Sequence, residues 1–199
     1  MSQDIVVVGI DLAGSPNRNT GICLLHNKRI VVCKTLFSDD RILDFVKSSN
    51  ASIVAMDAPL SLPPGRKSLE DNNGIHLRDC DRELLKRKIR FFPITLGPMR
   101  MLTKRGIALK RKFKRLGLNS IEIFPGGSQD VLGIPRKQHS MSGLRKGLEN
   151  LGIKGLRKDM NGDELDAVTG AYTAYLYLTG KADILGTPEK SAIILPKKV

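Results

Sequence analysis

The chain has 199 residues, which is enough for one well-buried domain but short for two independent ones. Hydrophobic residues make up 41% of the sequence and charged residues 27%, which excludes a largely disordered chain. No tract is apolar enough to span a membrane, and the first residues, MSQDIVVVGID, lack the features of a signal peptide. We therefore predict a single domain over residues 1–199, located in the cytoplasm and without a membrane partner.

The three cysteines, Cys23, Cys33 and Cys80, are odd in number and show neither CxxC nor Cys/His spacing. The sequence therefore encodes neither a disulfide framework nor a zinc site. A reducing compartment agrees with this pattern. The sequence does not predict an oligomeric state.

The first part of the chain predicts four strands and one helix. The opening apolar run is largely β-branched, which is typical of a strand buried on both faces. Ser38 followed by two acids predicts a capped helix, and Ala58-Pro59 stops the strand that ends at Asp57. The predicted strands are residues 5–11, 21–26, 29–35 and 52–57, and the predicted helix is 38–50.

The second part is more helical. Residues 66–118 are helical in pieces broken by proline and glycine, and we interpret them as a basic helical insertion within the domain. Ala167, Gly170, Ala171 and Ala174 form a stripe of small residues that lets the last helix lie close to its neighbour. Strands are predicted at residues 121–124 and 191–195, and helices at 128–132, 140–151 and 161–178.

The net charge of +13 is concentrated in one part of the chain. Residues 82–115, called the basic segment below, hold thirteen lysines and arginines against one acid, Glu83. Such a segment predicts salt-dependent binding to a nucleic-acid backbone, DNA or RNA, although a solvated helix surface is the simpler alternative. Its phenylalanines, Phe91, Phe92 and Phe113, are interpreted as core anchors rather than a stacking platform. The predicted contacts are Arg87, Lys88, Arg90, Arg100, Lys104, Arg105, Lys110, Arg111, Lys112, Lys114 and Arg115.

Four aspartates stand where strands end or a helix begins: Asp11, Asp57, Asp163 and Asp166. Each has a simple structural alternative, because aspartate forms turns and acids favour the first turn of a helix. Parallel neighbouring strands that end at one edge would nevertheless bring Asp11 and Asp57 together, and a packed helix would add Asp166. Such carboxylates without His or Cys partners favour Mg²⁺ or Mn²⁺, which can act in pairs in phosphodiester hydrolysis.

Five fragments occur in the order seen in a family of uncharacterised, predicted nucleases with a ribonuclease H-like fold: GIDLAGS, MDAPLSLP, RDCDRELLKRKIRFFP, IEIFPGG and GDELDAVTGAYTA. The first and last of them are also similar to motifs of Holliday-junction resolvases of the RuvC type. The resemblance implies an α/β fold with a mixed five-stranded sheet flanked by helices. It also implies a metal-dependent nuclease in which Asp11, Asp57, Asp163 and Asp166 are catalytic and bind the metal.

The chain departs from this family near Glu122. Family members often show Glu-x-His-Pro-Glu where this chain has Glu122-Ile123-Phe124-Pro125-Gly126, so the His and the second Glu are missing. Glu122 is an auxiliary candidate with an equally good structural alternative. In RDCDRE, we interpret Arg78, Asp79, Asp81 and Arg82 as helix-surface ion pairs, with Arg78 or Arg82 as possible phosphate contacts.

Two other functions compete with a nuclease. One is a ribonuclease H-like module that binds nucleic acid or a protein without cleaving, against which the full set of carboxylates argues. The other is a kinase or ATPase of the actin and sugar-kinase type, because a strand and turn such as GIDLAGS can hold phosphate. Those enzymes pair two similar lobes, whereas this chain is short and has no internal repeat.

Overall fold

The computed structural model describes residues 4–198, so residues 1–3 and 199 of the predicted domain lie outside the described part. The strands in chain order are β1 (Val6–Asp11), β2 (Thr20–His26), β3 (Arg29–Leu36), β4 (Ile53–Asp57), β5 (Ser120–Ile123), β6 (Ala182–Thr187) and β7 (Ser191–Pro196). The helices are α1 (Asp39–Ser48), α2 (Asp79–Lys86), α3 (Gly97–Arg115), α4 (Pro125–Leu132), α5 (Met141–Asn150) and α6 (Gly162–Leu178).

The seven strands form one mixed sheet with the order β3-β2-β1-β4-β5-β7-β6. The central strands β1, β4, β5 and β7 are parallel, whereas β2, β3 and β6 run antiparallel to their neighbours. The prediction of a mixed α/β sheet is confirmed, but the predicted count of five strands is wrong. β7 and β6 extend the sheet as a hairpin beyond β5. The β6 segment ADILGT lacks a strand pattern of its own, and pairing with β7 makes it a strand.

Helices cover both faces of the sheet, and a hydrophobic core lies on each face. Successive side chains of β1 belong alternately to one core and to the other. Val7 points to the face covered by α5 and α6, while Val8 and Ile10 point to the face covered by α1 and α3. Because successive side chains alternate between faces, Asp11 belongs to the same side as Val7, the side of α6. A third, smaller core joins α2 to β6 and β7.

Helix α6 lies directly against the backbone of β1 and β2, as its predicted stripe of small residues requires. A Cβ added at Gly9 would lie 2.1 Å from the carbonyl oxygen of Ala167, and one at Gly21 would lie 2.0 Å from that of Asp163. Any side chain at these two glycines would therefore push α6 off the sheet. This close approach brings the first turn of α6 to the end of β1.

The segment between β4 and β5 contains α2 and α3, and it includes the predicted insertion of residues 66–118. Helix α3 touches the loop after β4, because a Cβ on Gly106 would lie 2.8 Å from the Cβ of Ala58. Helix α2 packs against β6 and β7 instead. Among the described residues, no helix has the length and apolar character needed to cross a membrane.

Candidate functional site

Two carboxylates end neighbouring parallel strands at the same edge of the sheet. Asp11 is the last residue of β1 and Asp57 the last of β4, and the two are paired in register. Alternation puts both side chains on the α6 face, since Val7 and Gly9 precede Asp11, and Ile53 and Ala55 precede Asp57, on that face. The predicted meeting of Asp11 and Asp57 is therefore seen in the sheet register.

The first two turns of α6 add the other two aspartates. The helix begins at a capping box in which the Asn161 side chain accepts a hydrogen bond from the Glu164 backbone, and the Glu164 side chain accepts one from Asn161. Asp163 and Asp166 lie on the side that faces β1. Gln129 of α4 fixes Asp166 by donating a hydrogen bond of 2.7 Å to its carboxylate.

A lysine that no sequence motif marks joins three of these side chains. The Lys137 Nζ atom lies 3.1 Å from Asp11 Oδ2, 3.0 Å from Asp163 Oδ1 and 2.9 Å from Asp166 Oδ2. Lys137 belongs to the loop between α4 and α5, where periodicity gives no signal for it either. The four aspartates are called the acidic cluster below; Asp11, Asp163 and Asp166 contact one ammonium group, and Asp57 lies beside Asp11.

The acidic cluster has more negative charge than its surroundings balance. Burial raises the pKa of Asp11 to about 7, Lys137 opposes the rise, and Asp166 adds to it. Burial also raises the pKa of Asp57 well above its usual range, with further repulsion from Asp11 and Asp166. Burial lowers the pKa of Lys137, but the carboxylates of Asp11 and Asp166 raise it more, so that it lies above its usual range.

The donor set of the acidic cluster fits a hard divalent cation, although the carboxylates now enclose an ammonium. Within residues 4–198, no group of three or more His, Cys, Asp or Glu side chains is already arranged to hold a metal ion. The Lys137 ammonium takes one oxygen from each of three carboxylates, and those oxygens converge on a single cation. Carboxylate oxygens are the ligands that Mg²⁺ and Mn²⁺ prefer, so Asp11, Asp163 and Asp166, with Asp57 beside them, could hold such an ion once the ammonium leaves.

Glu122 does not join the acidic cluster, although it lies on the next strand. In register it pairs with Met56, which belongs to the core beneath α1 and α3, on the other side of the sheet from Asp57. The Arg78 guanidinium donates to both Glu122 oxygens at 2.7 Å, and the Leu60 backbone N–H donates at 2.8 Å. Of the two explanations for Glu122, these bonds favour the structural one.

Arg78 also explains part of the RDCDRE fragment. Its guanidinium donates to Asp81 at 2.8 Å and 3.1 Å, and the exposed fractions of the Arg78, Asp81 and Glu122 side chains are only 3%, 2% and 5%. Arg78, Asp81 and Glu122 are called the buried network below. The interpretation as surface ion pairs is therefore wrong for Arg78 and Asp81. It holds for Asp79 and Arg82, which form an exposed pair at 3.4 Å.

Two cavities open beside the acidic cluster. One, of about 530 Å³, is lined by Asp11, Asp163, Lys137 and the loop of residues 12–19. The other, of about 670 Å³, reaches Asp57, Asp166 and Lys137 and has walls that include Phe91 and Phe92. Phe92 is 71% exposed, so its interpretation as a core anchor is wrong, whereas Phe113 is fully buried.

The residues predicted to bind a nucleic-acid backbone differ in their surroundings. Arg105 is buried and donates to Asp39 and to the carbonyl oxygens of Ala13, Ser15 and Phe37, so its guanidinium faces the protein. Four others also have protein partners. These four are Arg87, Arg100, Lys110 and Lys112. Six are exposed and make no ion pair within the described chain. These six are Lys88, Arg90, Lys104, Arg111, Lys114 and Arg115.

No protein-family model matches the chain, and no curated protein matches it. Among solved structures, the chain is similar to RuvC of Thermus thermophilus in complex with a Holliday junction substrate. The TM-score is 0.54 and the identity 13%, over 88% of this chain and 97% of that chain. A second Thermus thermophilus RuvC structure aligns with a TM-score of 0.48 and 14% identity, over 96% of this chain and 100% of that chain. At this identity the first likeness concerns the fold alone, and the chain has a RuvC-like fold of the ribonuclease H type.

Proposed function

We propose that this protein is a metal-dependent nuclease that hydrolyses phosphodiester bonds in nucleic acid. The observation that carries the proposal is the convergence of the acidic cluster. Asp11 and Asp57 are paired in register at one edge of the sheet, and α6 adds Asp163 and Asp166 around the same cation position. A cluster of carboxylates beside an open cavity, in which burial raises the pKa of Asp11 and Asp57, is typical of a functional site.

The acidic cluster would hold Mg²⁺ or Mn²⁺, and the bound ion would supply an activated water and stabilise the leaving oxygen. The protein's own part in the reaction is positioning. Gln129 fixes the orientation of Asp166, and the contact of α6 with Gly9 and Gly21 fixes Asp163 and Asp166 relative to β1. The cavity of about 670 Å³, called the groove below, would give a nucleic-acid strand access to Asp57 and Asp166 from the side of Phe92.

The exposed part of the basic segment would bind the nucleic-acid backbone. Lys104, Arg111, Lys114 and Arg115 are exposed on α3, the helix whose Gly106 touches the loop that follows Asp57. Positive side chains there would neutralise phosphates without reading the base sequence. The fold likeness to a RuvC structure bound to a Holliday junction makes branched DNA the first substrate to test.

The test of the nuclease is cleavage by purified protein of labelled junction, hybrid and single-stranded substrates, in Mg²⁺ and separately in Mn²⁺. Asp11→Asn removes a charge and a ligand at nearly constant volume, so we expect cleavage to fall by at least about a hundredfold while substrate binding is retained. Asp44→Asn is the matched control, because Asp44 is an exposed carboxylate on α1 outside the acidic cluster. Its cleavage rate should equal that of the wild type.

Two results would overturn the nuclease proposal. If wild-type protein binds these substrates tightly and cuts none, the protein is a ribonuclease H-like binding module. If Asp11→Asn cuts as fast as the wild type, the activity comes from a contaminant or from another site.

The proposed role of α3 has its own test, which measures affinity for a junction at several salt concentrations. Replacing Lys104, Arg111, Lys114 and Arg115 by Gln should weaken binding and make the slope of log affinity against log salt shallower, by about 0.9 for each phosphate that is no longer neutralised. The matched control replaces four exposed lysines outside the basic segment, namely Lys146, Lys158, Lys181 and Lys198. An equal loss of affinity in both variants would show that net charge alone, and not α3, determines binding.

A further inference from the structure

Lys137 is held by the acidic cluster and by a space that fits its side chain. Its ammonium contacts Asp11, Asp163 and Asp166 at 2.9–3.1 Å, and the other groups of the described chain form no ion pair with these aspartates. Gly162 is the first residue of α6, and a Cβ there would lie 2.8 Å from the Lys137 Cδ atom. The glycine therefore leaves room for the aliphatic part of the lysine at the entry to the acidic cluster.

We propose that Lys137 is an exchangeable internal cation: it neutralises the acidic cluster in the metal-free protein, and a divalent metal ion must displace it to bind. This inference rests on the proposed function, because it concerns the same carboxylates. It adds that metal binding is coupled to movement of the Lys137 side chain. The loop of residues 133–140, between α4 and α5, therefore controls metal affinity.

The geometry makes the two cations mutually exclusive. A hard divalent ion binds carboxylate oxygens at about 2.1 Å, so it would need the same oxygens that Lys137 now contacts. An ammonium that stayed within about 4 Å of the ion would add strong like-charge repulsion in a partly buried site. Lys137 must therefore give up the carboxylate oxygens when the ion arrives.

The structure also provides a place for the displaced side chain. Lys137 lines both the cavity of about 530 Å³ and the groove of about 670 Å³. It lies in a loop between two helices, and its ammonium bonds only to the aspartates within residues 4–198. The side chain can therefore swing into either space without breaking a helix or a strand.

The test is the affinity of chelator-stripped protein for Mn²⁺, measured at a fixed pH by titration with detection of free Mn²⁺ by electron paramagnetic resonance. Lys137→Met keeps most of the length of the side chain and removes its charge, so we expect Mn²⁺ to bind at least about tenfold more tightly than to the wild type. Lys146→Met is the matched control, because Lys146 lies exposed on α5 and pairs with Glu149 instead. It should change the affinity much less. Adding Asp166→Asn to Lys137→Met should remove the gain, which would place it in the acidic cluster.

A second variant leaves every charge in place. Gly162→Ala would put a methyl group where the Lys137 stem lies, and the flexible stem is the part that must move. We expect tighter Mn²⁺ binding here too, by a smaller factor than in Lys137→Met. A ¹⁵N spectrum of the lysine ammonium groups, recorded with diamagnetic Mg²⁺, gives an independent measurement. The Lys137 signal should change when Mg²⁺ is added, while the Lys146 signal stays fixed.

The outcomes separate this inference from the proposed function. Equal Mn²⁺ affinity in the wild type, Lys137→Met and Gly162→Ala would overturn the exchange and leave the metal-dependent nuclease standing. Absence of Mn²⁺ binding in the wild type and all variants would overturn the proposed metal dependence, and the exchange with it. If Lys137→Met does not fold, the Mn²⁺ affinity of Gly162→Ala and the ammonium spectrum decide whether Lys137 exchanges with the metal ion.

Discussion

Two groups of charged side chains lie near the carboxyl ends of neighbouring parallel strands. The acidic cluster includes the last residues of β1 and β4, and the buried network includes Glu122 of β5, whose side chain leaves the other face of the sheet. In the buried network, one guanidinium serves two carboxylates, and the exposed fractions of the three side chains are 2–5%. In the acidic cluster, one ammonium contacts three of four carboxylates, and the exposed fractions of those three range from 10% to 38%. The side chains of the first group are almost fully buried and well paired, whereas those of the second are more exposed and include more carboxyl groups than cations.

The difference between the two groups indicates a structural role for the buried network and a functional role for the acidic cluster. Glu122 accepts hydrogen bonds from Arg78 and from the Leu60 backbone, so the buried network ties α2 and the loop after β4 to β5. Asp57 ends β4 just before that loop, and its side chain has no hydrogen bond or ion pair within residues 4–198. The buried network therefore stabilises the loop, and the acidic cluster keeps repulsion that an added cation would relieve.

The largest expected effect tests the buried network. Arg78→Met would leave Asp81 and Glu122 as buried carboxylates without a cation, and breaking such a group costs about 3–5 kcal/mol. Arg82→Met is the matched control, because Arg82 makes an exposed pair with Asp79 whose contribution is about 0–1 kcal/mol. Urea denaturation of both variants measures the difference. Equal stability of the two would contradict the assignment of Arg78 as the cation that holds both carboxylates in place.

Smaller changes in the free energy of unfolding, of opposite sign, are expected when one carboxylate of each group is replaced by its amide. In Glu122→Gln, the new amide N–H₂ would face the donors of Arg78, so we expect a loss of about 1–3 kcal/mol from the unsatisfied donors. In Asp57→Asn, the amide meets no such donor and a repelled carboxylate is removed. Because burial and repulsion raise the pKa of the Asp57 carboxyl, we expect the substitution to raise the stability of the metal-free protein at pH 8.

Urea denaturation in the presence of a chelator measures both changes. Losses of similar size in Glu122→Gln and Asp57→Asn would mean that Asp57, like Glu122, has a supporting role. The comparison between the two groups would then fail.

The candidate carboxylates could be predicted from the sequence because each follows from a local pattern. Asp11 and Asp57 end apolar runs, and Asp163 and Asp166 lie near the start of a helix whose cap and small residues are visible in the sequence. The order of the motifs then predicted a ribonuclease H-like fold, with which the likeness to RuvC agrees. Local patterns of this kind determine where an acid stands on its own element.

Contacts between distant elements could not be predicted in the same way. Lys137 stands 126 residues from Asp11 in the chain, and its loop has no periodicity that would point it at the acidic cluster. Arg78 and Glu122 are 44 residues apart in the chain. The i,i+3 spacing in RDCDRE is typical of ion pairs on a helix surface, and only the position of α2 in the fold shows that Arg78 and Asp81 are buried. Gly9 also lies in an ordinary apolar strand, and only the docking of α6 explains why it has no side chain.

The remaining expected effect is a change in the pH dependence of stability at Asp11. Burial raises its pKa from 3.8 to about 7, so between these values the folded protein binds more protons than the unfolded chain. Stability from this group is therefore full below about pH 4 and falls as the pH rises towards 7. Asp11→Asn cannot ionise, so its stability relative to the wild type should increase through that window and level off above it.

The measurement is urea denaturation of metal-free protein at several pH values from 4.5 to 8.5. Asp71→Asn is a control of opposite sign, because the backbone N–H groups of Ser68 and Lys67 hold the pKa of Asp71 below its usual value. The stability given by Asp71 is lost only as the pH falls below about 4, so its variant should differ from the wild type by a constant amount in this range. A constant difference for Asp11→Asn as well would mean that Asp11 is already ionised at pH 4.5. In that case Lys137 would outweigh both burial and the repulsion from Asp166, and the acidic cluster would be as well balanced as the buried network.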